Sequence, residues 1–463
     1  MATTNKQVTL LKRLIWLYLV LLLTEGAMRK WGPSNLATPL LIVRDPVVLL
    51  IYMIAASCQK FVFNGYVMGC FLLAVSTFCA SLLTSANLAV TLIGLRCYFL
   101  HLPLIFVMEK TLEKEDIQRI GKFLLWFAIP ETILCVIQLW SPQTHWSNLS
   151  VGGIVTVGMS GAEGKFRPSG TFSFTNGVAA FYPLALAALL GFLLMRQKLP
   201  WYLSIVSAVC IAVAIPVSIS RTNALTCALV LLTAAGAVFY LPSAPKAIIR
   251  MVLFMGAAVF IASWLPRFDE EVQVFDSRWE SSTGSDVNGF QSNIVTRFFT
   301  DLLPPMDLIA DTPLLGVGVG MGTPMASAYM TGERQFNLGE GEWQRLIGEM
   351  GPVLGLAFIL LRIGLCARLV STAYRALLRE NIWSALFAVE AFLLVLNAQW
   401  GNATTLGFAI FSAGLAVASS RMVTSTAPAK SRRRSSYKPR RFAWEADAPK
   451  PAATLTALEH NRE

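Results

Sequence analysis

Residues 176–195 read NGVAAFYPLALAALLGFLLM, twenty positions without a charge. Wound as a helix at about 1.5 Å per residue, such a run matches the roughly 30 Å hydrocarbon core of a bilayer. Working outward in both directions, apolar runs of roughly 18 to 22 residues recur to either end of the chain. The predicted spans are 10–27, 39–57, 64–84, 87–108, 121–140, 176–195, 201–219, 222–241, 247–265, 346–368, 381–398 and 402–421. The expectation is an all-α, polytopic membrane protein with about 12 transmembrane helices.

Composition agrees. Hydrophobic residues make up 55% of the 463 and charged residues 14%, where soluble domains run at about 45–50% and about 25%. A soluble enzyme is excluded. The formal net charge of +11 is local, because Lys430, Arg432, Arg433, Arg434, Lys438, Arg440 and Arg441 fall in one short tail segment. That segment reads as a tether to anionic membrane lipid, and no nucleic-acid partner is expected. The eight cysteines lie in apolar runs without C-x-x-C spacing, so neither a disulfide framework nor a zinc site is expected. Lys6, Lys12 and Arg13 precede the apolar stretch 14–23, but no small-x-small cleavage site follows. The first helix is therefore read as uncleaved.

Twelve spans bring both termini to one side, and most Lys and Arg residues crowd the segments on that side. The positive-inside rule makes it the cytoplasmic side. Four regions follow. Residues 1–265 hold nine helices with an outer loop at 142–175. Residues 266–345 form a large outer loop with short helices near 270–280 and 293–309 and a glycine run at 316–322, read as a flexible or closely packed turn. Residues 346–421 hold three more helices, and 422–463 form a basic tail with little apolar content to bury.

A charge within a membrane is costly and marks a cavity, a partner or a function. In this orientation Arg44 falls near the start of the second span, Arg221 at the start of the eighth, and Arg345 just before the tenth. Arg167 lies shortly before the sixth span, and Arg96 roughly 13 Å into the fourth. These five arginines share the outer half of the membrane, which predicts a cationic outer cavity. Arginine suits phosphate because its planar, permanently charged fork bonds two oxygens at once. The segment Ser218-Ile-Ser-Arg-Thr222 reads as a helix start whose free N–H groups add to an anion site. Arg167-Pro-Ser-Gly-Thr-Phe-Ser-Phe-Thr-Asn176 reads as a turn, with Thr175 or Asn176 capping the next helix. The alternative for each arginine is a lipid headgroup or a loop carboxylate.

The acidic candidates are Glu340 and Glu342 in Gly339-Glu-Gly-Glu-Trp-Gln-Arg345, with Glu349 about a turn further in. Either fits acceptance of a proton from a substrate hydroxyl; the alternative is a solvated helix start favoured by the dipole. Glu131 and Glu390 lie within spans and are read as structural partners of Arg96 or Arg362. Asp45 is assigned to the network of Arg44, and His101 to a satisfied interior position. Glu25, Arg29, Lys30 and Trp31 form an outer cluster, as an anchor or as a cavity rim. No phosphate-binding loop of the G-x-x-x-x-G-K-[ST] kind occurs, and no metal-ligand set falls on the outer side.

Taken in order, several of these pieces are similar to a known family: Glu25-Gly-Ala-Met-Arg-Lys-Trp31, Arg44-Asp-Pro46, Arg96 through Pro103, Arg167-Pro-Ser-Gly-Thr171 with Asn176, Ser220-Arg-Thr222, Pro313-Leu-Leu-Gly-Val-Gly318, and Glu342-Trp343 through Glu349-Met-Gly351. The sequence resembles the O-antigen ligase and polymerase superfamily, membrane glycosyltransferases of GT-C type. The resemblance implies a bacterial inner-membrane protein with a large periplasmic loop between helices 9 and 10, both termini cytoplasmic. It implies an undecaprenyl-diphosphate-linked oligosaccharide donor and acceptor, and catalysis without metal, cofactor or nucleotide sugar. It also implies that Arg167, Arg221 and Arg345 engage the diphosphate, and Arg44, Arg96 and Asn176 are read beside them as substrate contacts. Ligases of the family typically carry a histidine before the late helix, where this chain has Glu340, Gly341 and Glu342. That departure favours a polymerase of exopolysaccharide or O-antigen repeat units, with a chain-length regulator as a partner. Ligase-type transfer, a transporter or flippase for an anionic lipid or solute, and a non-catalytic assembly component remain the alternatives.

Overall fold

A helix that is apolar on every face is stable only when neighbours cover it, and the uncharged run behaves accordingly: it forms a helix, Asn176–Leu194, buried along nearly its whole length. The structure, a computed structural model, describes residues 2–84, 86–156, 158–240, 244–283, 312–323, 329–330 and 341–422. In chain order the helices are α1 (Ala2–Trp31), α2 (Arg44–Ser57), α3 (Gly65–Leu83), α4 (Leu88–Leu95), α5 (Leu104–Thr111), α6 (Lys114–Trp140), α7 (Asn176–Leu194), α8 (Trp201–Val217), α9 (Arg221–Val238), α10 (Ala244–Ala262), α11 (Phe268–Thr283), α12 (Glu342–Leu377), α13 (Trp383–Asn397) and α14 (Ala403–Ser419). Among the described residues eight helical segments are long and apolar enough to cross a membrane, and four shorter apolar helices accompany them. The described part of the chain is all-helical, and the chain is a polytopic membrane protein.

Packing centres on α14, whose residues are buried throughout, and on α7 beside it. Around this pair stand α5, α12 and α13, while α1 packs on α2, α6 on α8, α7 on α9 and α3 on α12. Close approach is bought by small side chains. A Cβ on Gly407 of α14 would lie 2.1 Å from Nη1 of Arg44, and one on Gly414 would lie 2.4 Å from the sulfur of Met108. The helix leaves room for a guanidinium at one end and a thioether further along.

Two spans are interrupted by a break within their lengths. The run at 87–108 is not one α-helix: between α4 and α5 the backbone widens into a π-turn, Arg96–Leu100, followed by Pro103. Proline has no N–H to continue the ladder, and such bulges re-aim side chains; here Arg96 turns toward α2. The run at 346–368 begins earlier, at Glu342, and α12 is kinked at Gly351 (φ 77°, ψ 168°) before Pro352. The residue before a proline is pushed out of the helical region, which sets the short Glu342 segment at an angle to the long apolar one.

The helix read near 270–280 lies within α11. The one read at 293–309, the tail and Glu340 lie outside the described residues. The glycine run is closely packed: Gly320 and Gly322 donate their N–H groups to the Glu349 carboxylate at 2.8 and 2.9 Å, and Val319 donates to Ser81 Oγ at 3.0 Å. Glycine is required at 320, where φ is +94° and a Cβ would lie 2.4 Å from the carbonyl oxygen of Val90.

Candidate functional site

The turn after Arg167 is held by side chains from two helices. From α6, Gln138 Oε1 accepts the N–H groups of Ser169 and Gly170 at 3.1 and 2.7 Å, while its Nε2 donates to Gly170 O at 3.1 Å. One α6 repeat earlier, the Glu131 carboxylate accepts the Thr171 N–H at 3.1 and 3.2 Å. From α1, Lys30 Nζ donates to Ser169 Oγ, Gly170 O and Phe172 O at 3.0, 2.5 and 3.2 Å. A loop whose backbone polar groups are satisfied this way is a fixed platform. Lys30 and Glu131, which the sequence reading placed in other roles, and Gln138, which it did not single out, are thus positioning groups. Glu131 pairs with neither Arg96 nor Arg362; it braces a turn. One signal for this was available, since Glu131 and Gln138 stand seven apart on an apolar helix and so share a face.

Arg167 itself is in an unusual state. Its Nη1 donates to the sulfur of Met159 at 3.4 Å, and its buried Nε has no hydrogen-bond partner among the described residues. Among the described residues no carboxylate forms an ion pair with it. Burial, with the positive charges of Arg278 and Arg221 nearby, pushes its pKa down to about 10. Three cations from the 142–175 loop, α9 and α11 therefore share one locality. Arg278 was not singled out from the sequence, because nothing around it in α11 distinguishes it from a surface charge.

Arg221 is the first residue of α9. The helix start expected there is present: Ser220 is the N-cap, and its hydroxyl accepts the Asn223 N–H at 3.3 Å. Before it, the buried Ile219 holds φ at +46°. A β-branched residue in the left-handed region is strained by about 1–3 kcal/mol, and such strain concentrates where geometry serves a function. Asn176 is the first residue of α7, but neither residue proposed as cap makes a side-chain capping bond: Thr175 holds the N-cap position and its hydroxyl contacts Met159 Sδ.

Arg44, Arg96 and Arg345 are each paired with a carboxylate elsewhere in the bundle. Arg44 bonds Glu25 at 3.0 Å and the carbonyl of Ala403. Arg96 pairs with Asp45 and donates to Leu41 O at 2.8 Å. Asp45 therefore serves Arg96 and not its neighbour Arg44, and it also meets His101 Nε2 at 3.0 Å, while His101 Nδ1 faces Tyr18 OH at 3.1 Å. Arg345 pairs with Glu342 and lies 3.7 Å from Glu349. Glu342 also takes Arg362 at 2.7 Å, and its side chain is fully enclosed. These arginines are neutralised by carboxylates inside the bundle because an unpaired buried charge would cost far more than the pairing does. The same pairing holds Glu342 between Arg345 and Arg362, and holds Glu349 between Arg345 and the glycine run. Glu390 is buried, and neither of its oxygens has a hydrogen-bond partner among the described residues.

An anion held by Arg167 binds its protonated form. Affinity should therefore hold at neutral pH and fall as the pH rises through about 10. Titration of inorganic sulfate, whose own charge is constant from about pH 8 to about pH 11, checks this; a flat profile would mean that the guanidinium stays protonated throughout that range.

Among the described residues no three His, Cys, Asp or Glu side chains come together as a metal site. No family model matches the chain, and no curated protein matches it.

Proposed function

We propose that the protein is a glycosyltransferase of the bacterial inner membrane that polymerises lipid-diphosphate-linked oligosaccharide repeat units at the periplasmic face, as the O-antigen ligase and polymerase superfamily it resembles does. In this reading all twelve apolar helices cross the membrane, the termini are cytoplasmic, and the Arg167 turn faces the periplasm. The observation that carries the reading is the Arg167 guanidinium, which stands on a braced turn with a buried Nε unbonded among the described residues, in the field of Arg221 and Arg278. Buried donors are almost always bonded, and a pyrophosphoryl group offers the acceptor oxygens and the negative charge that this cluster calls for.

The reaction is one displacement. The acceptor hydroxyl oxygen bonds to the anomeric carbon, the bond from that carbon to the diphosphate oxygen breaks, and the electron pair leaves on the lipid diphosphate. The hydroxyl proton passes to a carboxylate, for which Glu340 is the remaining candidate now that Glu342 is committed to Arg345 and Arg362. Charge grows on the leaving group as the bond breaks, and cations fixed beforehand stabilise it without reorganising. Arg167 and Arg221 take that role, with Asn176 at the neighbouring helix start.

Purified protein incubated with lipid-linked repeats should yield longer saccharides. Arg221→Ala should lower the rate by about 100-fold or more, as loss of a transition-state donor does, while the protein still inserts and folds. Wild-type product lengths in that variant would remove Arg221 from the mechanism. Movement of intact lipid across the membrane without elongation would replace the enzyme reading by a transport one.

A further inference from the structure

Three segments far apart in the chain meet at Trp140, the last residue of α6. Lys165 Nζ lies 3.9 Å and Arg267 Cζ 4.6 Å from the centroid of its ring, and its Nε1–H donates to Glu271 Oε1 at 3.1 Å. Lys165 precedes Arg167 by two residues in the braced loop. Arg267 is the residue before α11, and it holds φ at +65°, a backbone state that a non-glycine residue keeps only where its surroundings enforce it. Glu271 is in the first turn of α11, and Arg278 follows it by seven residues, on the same face of the helix. The indole therefore grips one arm next to Arg167, and grips the other at its hinge and on the face that carries Arg278.

We infer that Trp140 is a positioning residue whose ring and N–H fix the Arg167 loop and the Arg278 helix relative to each other, so that their guanidinium groups converge on one anion. A cation over an indole face is attracted to the ring quadrupole, and the hydrogen bond to Glu271 adds direction by fixing the rotation of α11 about its axis. Neither cation touches the anion in this scheme; they act through Trp140. The anion's identity rests on the proposed function, but the placement of the two arms does not.

The test reads placement and binding separately. Spin labels are introduced at the exposed positions Glu163 and Glu270 by cysteine substitution, in a background lacking Cys79 and Cys210, the two cysteines that are not buried. The wild-type ring should give a narrow distance distribution. Trp140→Leu should broaden it and weaken binding of farnesyl diphosphate by about tenfold, the scale of two lost cation–π contacts. Trp140→Phe keeps an aromatic face for both cations and should restore most of the narrow distribution. If Trp140→Leu fails to fold, the paired substitution Lys165→Met and Arg267→Met removes both cation–π contacts, leaving the hydrogen bond to Glu271, and should still broaden the distribution. Unchanged distances, or broadened distances with unchanged affinity, would overturn the inference. A protein that extends no glycan would defeat the proposed function and leave the distance measurement intact, so the two failures are distinguishable.

Discussion

Gly170→Ala is expected to unfold the Arg167 turn and abolish saccharide extension. The residue has φ +56°, and a Cβ there would lie 1.7 Å from Oε1 of Glu131 and 2.6 Å from its Cδ. The left-handed backbone alone costs an alanine about 1–2 kcal/mol. The overlap is with the group that accepts the Thr171 N–H, so Glu131 must move and leave that donor unsatisfied, at about 1–3 kcal/mol more. Gly164 supplies the control, because its φ is +70° but no atom lies within 4 Å of its added Cβ. Gly164→Ala should show the backbone cost and little else. Thermal unfolding in detergent, with product length measured alongside, should separate the two variants clearly. Equal melting temperatures and equal products would mean that the Glu131 brace does not hold the turn.

Several features of this architecture were readable in sequence because they are local. The uncharged run at 176–195 needs only its own composition to announce a buried helix, and Ser220 ahead of Arg221 needs only capping chemistry. The charge network was not readable, because its partners are remote: Lys30 reaches a carbonyl 140 positions away, and Arg96 a carboxylate 51 positions away. Sequence position suggested that Asp45 belongs with adjacent Arg44, yet successive helical residues point in different directions, and the π-turn brings Arg96 to Asp45 instead. Five arginines at similar depth looked like one cavity. Depth is only one coordinate, and the angular positions of the helices decide which neighbours each arginine meets. Arg44 finds Glu25, Arg345 finds Glu342, and Arg167 is left in the company of Arg221 and Arg278.

Removing the Glu342 carboxylate should be the most damaging single change in the α12–α13 region, for structural and not catalytic reasons. Glu342 Oε1 accepts Arg362 Nη1 at 2.7 Å and the Trp400 N–H at 3.2 Å, and Oε2 accepts Arg345. Arg362 is also bonded to Val395 O and Ala398 O at 2.6 and 2.9 Å, with its guanidinium 4.4 Å from the centre of the Trp400 ring. Two glutamates and two arginines, Glu342, Glu349, Arg345 and Arg362, make a balanced set. Glu342→Leu leaves it with an uncompensated buried cation, which costs about 3–5 kcal/mol, whereas replacing both members of a buried pair by apolar groups is often nearly neutral. The double variant Glu342→Leu with Arg362→Met should therefore recover most of the stability lost in the single one, since Arg345 keeps Glu349 and the Tyr98 hydroxyl, 3.2 Å from its Nε. It should also recover saccharide extension, because a structural carboxylate can be replaced together with its partner and a catalytic base cannot. A Glu342→Leu protein that melts like wild type but makes no product would return Glu342 to the reaction and place the acceptor at the start of α12.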